Sequence, residues 1–258
     1  MAAPASLLSG AIDLYARALD VDLSDAAVPD GGFRSFDAFF TRGLKPGARP
    51  VDADPSVLVS PADGRLEDAG PIERGATLRV KGRLYDVAEL LGDAGDARAF
   101  DGGIFAVVYL SPRDYHRVHS PVAGPIRTVR HVGGTLFPVN DIGVRHVERL
   151  FARNERVAVV HESERHGAVA TILVGAVGVG RITLSFEPDV ITNRDRMPRT
   201  LRYGDGGPRL ARGEELGTFH LGSTVIVFAG ASVPLTLTRR PGDAVRVGET
   251  LARATGLA

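Results

Sequence analysis

The chain contains no cysteine, no excess of either charge and no apolar stretch that reads as a membrane-spanning helix. The missing thiols exclude a disulfide framework, a thiolate zinc site and a cysteine nucleophile, and they fit a reducing cytosol. Lys plus Arg equals Asp plus Glu at 31 each, so no global field draws in nucleic acid, and no aromatic-interleaved basic motif is present. Met1 to Gly10 lacks a basic n-region and a long apolar run, so it is a poor signal peptide and the chain is expected to stay inside the cell. Two uncharged runs, Gly167 to Gly180 and Leu221 to Thr238, are interrupted by Gly, and the second also by Ser, Thr and Pro234. At 14 and 18 residues they read as paired buried strands.

What remains is enough for a folded core: 258 residues, 44% of them apolar, in one large domain or two small ones. Leu8, Ile12, Tyr15 and Leu19 recur at helical spacing and predict an amphipathic helix from about Ser6 to Leu19. Its polar face carries Asp13, Arg17 and Asp20, without the basic bias of helices that bind anionic bilayers. A second short helix is predicted with Ser35 as N-cap and Asp37 in the first turn. Phe33, Phe36, Phe39 and Phe40 give this segment a large apolar payload, suited to clamping a core or meeting lipid.

From about Val57 the texture changes to short β-branched runs separated by Gly, Pro and Asp. They fall at 57–60, 77–80, 103–110, 126–132, 156–160, 168–177, 180–186, 225–229 and 234–237, with a helical insertion at 86–91. The fold class is α+β and mainly β: an antiparallel sandwich or barrel-like core with short N-terminal amphipathic helices. A Val-x-Val strand between paired Gly turns at 242–249 is the kind of hairpin that closes biotinyl- and lipoyl-type modules. The stretch 193–212 holds six Arg, two Pro and a Gly204-Asp205-Gly206-Gly207 run, and reads as a mobile basic loop, either solvated or facing anionic headgroups.

The densest polar cluster is Ser111-Pro112-Arg113-Asp114-Tyr115-His116-Arg117-Val118-His119-Ser120-Pro121. Prolines stiffen both ends, so His116 and His119 can be held in fixed orientations, as general acid or base work requires. Zinc is the competing use of the pair, but no third ligand stands beside it and no His-Glu-x-x-His pattern exists, so no metal is assigned. Upstream, Ser60-Pro61-Ala62-Asp63-Gly64 is a turn tipped by one carboxylate. Downstream, Phe219-His220-Leu221-Gly222-Ser223-Thr224 is a small polar turn before a strand, in which Gly222 leaves the carbonyl ahead of a serine uncrowded. Asp63, His119 and Ser223 complete a set in which a carboxylate orients an imidazole that takes a hydroxyl proton. The serine lacks the Gly-x-Ser-x-Gly frame of a hydrolase elbow, which disfavours a conventional hydrolase.

These residues, in this order, resemble the phosphatidylserine decarboxylase family. The resemblance is carried by Phe39-Phe40-Thr41-Arg42, Leu44-Lys45-Pro46, Arg49-Pro50, Ser60-Pro61-Ala62-Asp63-Gly64, Lys81-Gly82, Leu90-Leu91-Gly92 and Asp114-Tyr115-His116-Arg117-Val118-His119. It continues through Leu136-Phe137-Pro138-Val139-Asn140, Asn154-Glu155-Arg156, Val174-Gly175-Ala176, Leu216-Gly217 and Leu221-Gly222-Ser223-Thr224. It covers the chain from about Phe39 onward; the short acidic N-terminal segment and His220 depart from it.

The resemblance implies self-processing. His119, oriented by Asp63, would deprotonate Ser223, whose oxygen attacks the Gly222 carbonyl in an N-to-O acyl shift, and β-elimination would break the chain. The β-chain would be 1–222 and the α-chain 223–258, beginning with a pyruvoyl cofactor made from Ser223. That group would form a Schiff base with the serine headgroup amine of phosphatidylserine and act as electron sink for loss of carbon dioxide, giving phosphatidylethanolamine. His116 is the candidate for the decarboxylation half. The implied organisation is a helical, membrane-associating or packing segment at 1–50 and a β-rich catalytic domain at 51–258. The implied setting is the cytoplasmic face of the cell membrane, peripheral, with phosphatidylserine, an anionic membrane surface and the chain's own fragments as partners; a homodimer is left open. Competing readings are a pyruvoyl decarboxylase of a soluble serine-containing substrate, a non-catalytic β-sandwich carrier, and a serine protease.

Overall fold

In the computed structural model, which describes residues 5–177, 181–190, 192–193, 199–220 and 223–255, the β-branched runs become strands nearly where their composition places them. Two helices come first, α1 (Ala5–Ala18) and α2 (Phe36–Phe40). Ser35 caps α2 through a 2.9 Å bond from the Ala38 N–H. The strands β1 (Val57–Val59), β2 (Gly64–Pro71), β3 (Thr77–Val80) and β4 (Arg83–Asp86) follow. Next are the short helices α3 (Val87–Leu91), which Asp86 caps, and α4 (Ala94–Ala97). Then come β5 (Ile104–Leu110), β6 (Arg117–His119) and β7 (Gly124–Val132), the helices α5 (Asp141–His146) and α6 (Leu150–Arg153), and β8 (Arg156–Ser163) and β9 (Gly167–Val174). The last part supplies β10 (Ile182–Leu184), β11 (Arg199–Arg202), β12 (Arg209–Leu210), β13 (Glu215–Phe219), β14 (Ser223–Ala229), β15 (Leu235–Leu237), β16 (Ala244–Val245) and β17 (Thr250–Ala254).

The main sheet has nine strands in the order β11-β7-β8-β9-β14-β5-β2-β16, with β12 also on β7. Its pairings are antiparallel and it stays open, so the barrel-like closure expected from sequence does not occur. A three-stranded sheet, β1-β17-β15, shares its core: Leu58, Leu251 and Ala252 bury together with Phe105 and Val227. A second three-stranded sheet, β10-β13-β6, lies over the functional end. All seven residues of β14 are buried, which explains why its sequence after Ser223 and Thr224 is an unbroken apolar run. Burying Val225, Ile226, Val227 and Phe228 contributes about 2 kcal/mol each. The two uncharged runs meet as β9 and β14, paired from Thr224 against Val174 to Ala229 against Val169.

The basic stretch is a correction. Its described part is not a loose loop but two edge strands, β11 and β12, pairing with β7. Arg202 bridges Asp93 at 2.9 Å, and Arg212 donates to the carbonyls of Asp52, Asp54 and Val57. Arg194 and Arg196 lie outside the described residues.

The motif Asn154-Glu155-Arg156 is a buried polar clamp. Asn154 Oδ1 accepts the Phe137 N–H at 3.0 Å, and its Nδ2 donates to the carbonyls of Phe137 and Gly175 at 2.8 Å each. Glu155 holds His131 at 2.9 Å, and Arg156 donates to the carbonyls of Leu90, Ala152 and Asn154. Asn154 is wholly buried, so truncating it strands three backbone groups away from water. Asn154→Ala should lower the free energy of unfolding by about 3 kcal/mol in urea titration; a change no larger than that of a surface substitution would contradict the clamp.

Candidate functional site

Backbone pairing, more than any side chain, gathers the residues of interest. Ser223 opens β14 directly opposite Leu110, the last residue of β5. The chain then turns through Ser111 to Asp114, closed by the Asp114 N–H on the Ser111 carbonyl at 2.9 Å and the Ser111 N–H on Asp114 Oδ2 at 2.7 Å. It returns as β6, which pairs with β13, and the Phe219 N–H donates to the His116 carbonyl at 2.9 Å. The two-histidine segment is therefore bonded to the chain on both sides of residues 220–222. Gly222 and Leu221 lie outside the described residues.

His116 is fully buried, with the Phe40 ring centroid 4.0 Å from its own. Its Nδ1 donates to the Asp114 carbonyl at 2.9 Å, which leaves Nε2 as a lone pair without a partner among the described residues. Burial pushes its pKa down to about 3, against the Asp114 carbonyl, which favours the charged form; Arg42 adds to the depression. His119 is arranged differently. Its Nδ1 donates to the Gly213 carbonyl at 2.8 Å, and its Nε2 accepts from the Tyr115 hydroxyl at 3.1 Å. Burial lowers its pKa, opposed by the Gly213 carbonyl and the charges of Glu215 and Asp63. Tyr115 keeps its proton because burial raises its own pKa. Both histidines are thus neutral, with the acceptor nitrogen defined.

Asp63 stands beside them without touching either imidazole. Its loop is tied to β6 by the His119 N–H on the Pro61 carbonyl at 2.8 Å. Its carboxylate accepts from Arg49 Nε at 3.0 and 2.9 Å, from Arg49 Nη2 at 2.5 Å and from the Val247 N–H at 2.8 Å. Burial works against the Arg49 charge, but Asp63 and Asp25 outweigh it and raise its pKa. Gly64 is required because a Cβ there would sit 2.2 Å from the Tyr109 carbonyl oxygen, so Asp-Gly is here a matter of close approach rather than turn propensity. The tautomer of His119 is fixed by the Gly213 carbonyl, and Asp63 reaches the imidazole through its field.

Buried polar atoms lacking a partner among the described residues concentrate at this junction: Ser111 Oγ, His116 Nε2, Ser223 Oγ, Thr224 Oγ1, and Nε and Nη1 of Arg42. Others, His161 Nδ1 and Thr171 Oγ1, lie elsewhere in the main sheet. Because folded proteins pair nearly all such groups, a cluster of exceptions marks a site shaped for chemistry rather than for stability. Arg42 is anchored by Nη2 on the carbonyls of Arg113 and Asp114 at 3.0 and 3.2 Å. A cavity of about 280 Å³ is lined by Arg42, Arg49, Asp63, Arg113, Tyr115 and Arg246, among others. Tyr115 and Gly213 escape sequence reasoning as contacts of His119, since a tyrosine inside a motif and a glycine in an Arg-rich stretch carry no signal of what they face.

Fold and site together define an open antiparallel β domain with a wholly buried serine at a strand start, near a turn that carries two neutral histidines. Residues 36–253 match the family model of phosphatidylserine decarboxylase. The chain is 44% identical over 246 residues to the phosphatidylserine decarboxylase proenzyme of Pseudomonas fluorescens, covering 93% of this chain and 85% of that one. The proenzymes of Xanthomonas oryzae pv. oryzae (47% over 246 residues, 94% and 86% covered) and Bordetella pertussis (46% over 248 residues, 92% and 82% covered) are similar to the same extent. The chain belongs to the phosphatidylserine decarboxylase family.

The buried histidines also set an acid limit on stability. His116 and His161, held at about 3 and about 4 by burial, refuse protons that the unfolded chain binds near pH 6.5. Their contribution is complete above pH 6.5 and is lost as pH falls from there toward the folded values, at up to about 1.4 kcal/mol per pH unit for each. The melting temperature should stay level from pH 8 to 7 and fall between 6.5 and 5. In His161→Leu the fall should be shallower; an unchanged slope would contradict the assignment.

Proposed function

We propose that the chain is a self-processing decarboxylase that converts phosphatidylserine to phosphatidylethanolamine and carbon dioxide. The observation that carries this reading is Ser223: wholly buried at the head of β14, its hydroxyl without a partner among the described residues, in a family whose relatives are called proenzymes.

In the processing step His119 Nε2, the nitrogen on which Tyr115 now donates, takes the Ser223 proton. Ser223 Oγ bonds to the Gly222 carbonyl carbon, the peptide C–N bond breaks, and the nitrogen of residue 223 takes up the proton, leaving an ester. Loss of the residue 223 α-proton then expels Gly222 as a carboxylate. Water replaces the nitrogen of the resulting dehydroalanine, which departs as ammonia, and the pyruvoyl group remains at position 223. Asp63 supports the charge that develops on His119 through its field.

The residues fit such a group, since Ser223 supplies its atoms and the surrounding Ser111, Thr224, His116 and Arg42 offer polar atoms that no described neighbour uses. When formed, the pyruvoyl ketone supplies the electron sink that amino-acid decarboxylation needs and no side chain here provides. His116 serves the decarboxylation half. Held neutral, with its Nδ1 proton on Asp114, it enters as an acceptor and returns only a proton it has first received. The cavity sets Arg42, Arg49, Arg113 and Arg246 against Asp20, Asp22, Asp25, Asp63 and Asp114, a mixed lining that offers partners to the amine of a serine headgroup as well as to its carboxylate and phosphate. Leu7 and Leu14 stand exposed on α1 while Ile12 turns inward, which supports peripheral attachment to a membrane; the cytoplasmic face is carried by the family resemblance alone. Among the described residues no helix is long and apolar enough to cross a membrane.

His119→Ala should remain one chain on a denaturing gel, whereas His116→Ala should cleave yet release carbon dioxide at least about a hundredfold more slowly. Equal loss of cleavage in both would remove the division of labour. Carbon dioxide release from detergent-solubilised phosphatidylserine, set against free serine and phosphoserine, tests the substrate; equal rates on the soluble compounds would favour the soluble-substrate enzyme.

A further inference from the structure

Residues 220–222 bridge two pinned ends, Phe219 on the His116 carbonyl and Ser223 opposite Leu110. The one described position inside that bridge, His220, is anchored at three points. Its N–H donates to the Arg181 carbonyl at 2.9 Å. Its Nδ1 lies 2.7 Å from Asp37 Oδ1 and 3.1 Å from Arg181 Nη2, and its Nε2 lies 3.2 Å from Thr183 Oγ1. With Nδ1–H donating to Asp37, Nε2 accepts the Thr183 hydroxyl and both ring nitrogens are used, while Arg181 Nη2, itself a donor, makes no hydrogen bond to Nδ1 and instead faces Asp37 Oδ2 at 3.8 Å. Asp37 belongs to α2, the helix whose Phe40 ring packs on His116, so one short helix from the N-terminal segment touches the site on both sides.

Intramolecular attack by Ser223 depends on the orientation of the Gly222 carbonyl, and displacement by about 1 Å costs such a reaction roughly a hundredfold. Gly222 itself has no side chain by which to be held. The nearest side chain on its own side of the bond with tertiary anchors in the described structure is His220, two residues away, within about 7 Å of extended chain.

We propose that Asp37 and His220 form a positioning pair that anchors the chain two residues before the scissile bond for self-cleavage and has no part in the turnover that follows. The inference rests on the self-processing reading above. Its asymmetry comes from the covalent chemistry: once the bond before Ser223 breaks, His220 belongs to the fragment that ends at Gly222, and the group made from Ser223 belongs to the other. A pair that positions the bridge loses its purpose at that moment. A pair that merely keeps α2 folded is needed before and after.

The experiment follows cleavage of freshly synthesised wild type, Asp37→Asn, His220→Gln and the double variant by intact mass over time. Carbon dioxide release is then measured per pyruvoyl group, titrated with a hydrazine, in the cleaved fraction. Each single variant should cleave about tenfold more slowly, as expected for loss of a charge-assisted bond in a unimolecular step. The double variant should be no slower than the singles, and turnover per pyruvoyl should stay within about twofold of wild type. Asp37→Glu, which keeps the carboxylate, should recover most of the rate. Unchanged cleavage in either single variant, multiplying effects in the double, or a parallel loss of turnover would each overturn the pair's role. A wild-type chain that never cleaves would overturn the self-processing reading instead, and this inference with it.

Discussion

The register of β14 between β5 and β9 is the constraint on which the rest depends. With Ser223 opposite Leu110 and Thr224 opposite Val174, the serine is placed at the sheet end by backbone hydrogen bonds on strands buried on both faces. A slip of one residue would turn every side chain of β14 to the wrong face, so the apolar run that follows Ser223 is also what holds the serine in place. The turn after Leu110 and the pairing of β6 with β13 then bring both histidines to the same junction without further instruction.

Stability and reactivity are separated in space. Polar groups away from the junction, such as those of Asn154, Glu155 and Arg156, are paired with backbone groups that would otherwise be stranded. At the junction one side-chain atom each of Ser111, His116, Ser223 and Thr224 is buried without a partner among the described residues, a cost tolerated because the sheet around them is deeply packed. The two histidines share neutrality but differ in surroundings: the lone pair of His119 is capped by a phenol, and that of His116 has no partner among the described residues.

Much of the fold was legible in the sequence because β-branched composition and strand formation coincide in β1, β3, β5, β7, β8, β9 and β14, and because Ser35 and Asp86 are capping residues with clear helical partners. The strands that were missed lack that composition. Gly64–Pro71 is rich in Gly and acid, Arg117–His119 sits within a polar motif, and Thr250–Ala254 alternates Ala with Arg; tertiary pairing overrides their weak local preference. The basic stretch failed as a loop for the same reason, since β7 offered an edge to pair with. Asp63, His116, His119 and Ser223 stood out in the sequence as candidates, and backbone pairing brings the segments that carry them to one end of the fold. Which group each would touch was not legible: the Gly213 carbonyl holds His119 and Arg49 holds Asp63, and both contacts depend on loops whose approach no local pattern encodes.

The central claim is that Ser223 is consumed to make the reactive group, and intact mass under denaturing conditions tests it most directly. Active protein should yield two fragments, ending and beginning at the Gly222 to Ser223 bond, the smaller one resistant to Edman degradation and shifted in mass by a hydrazine. Active protein that runs as one full-length species would contradict the account.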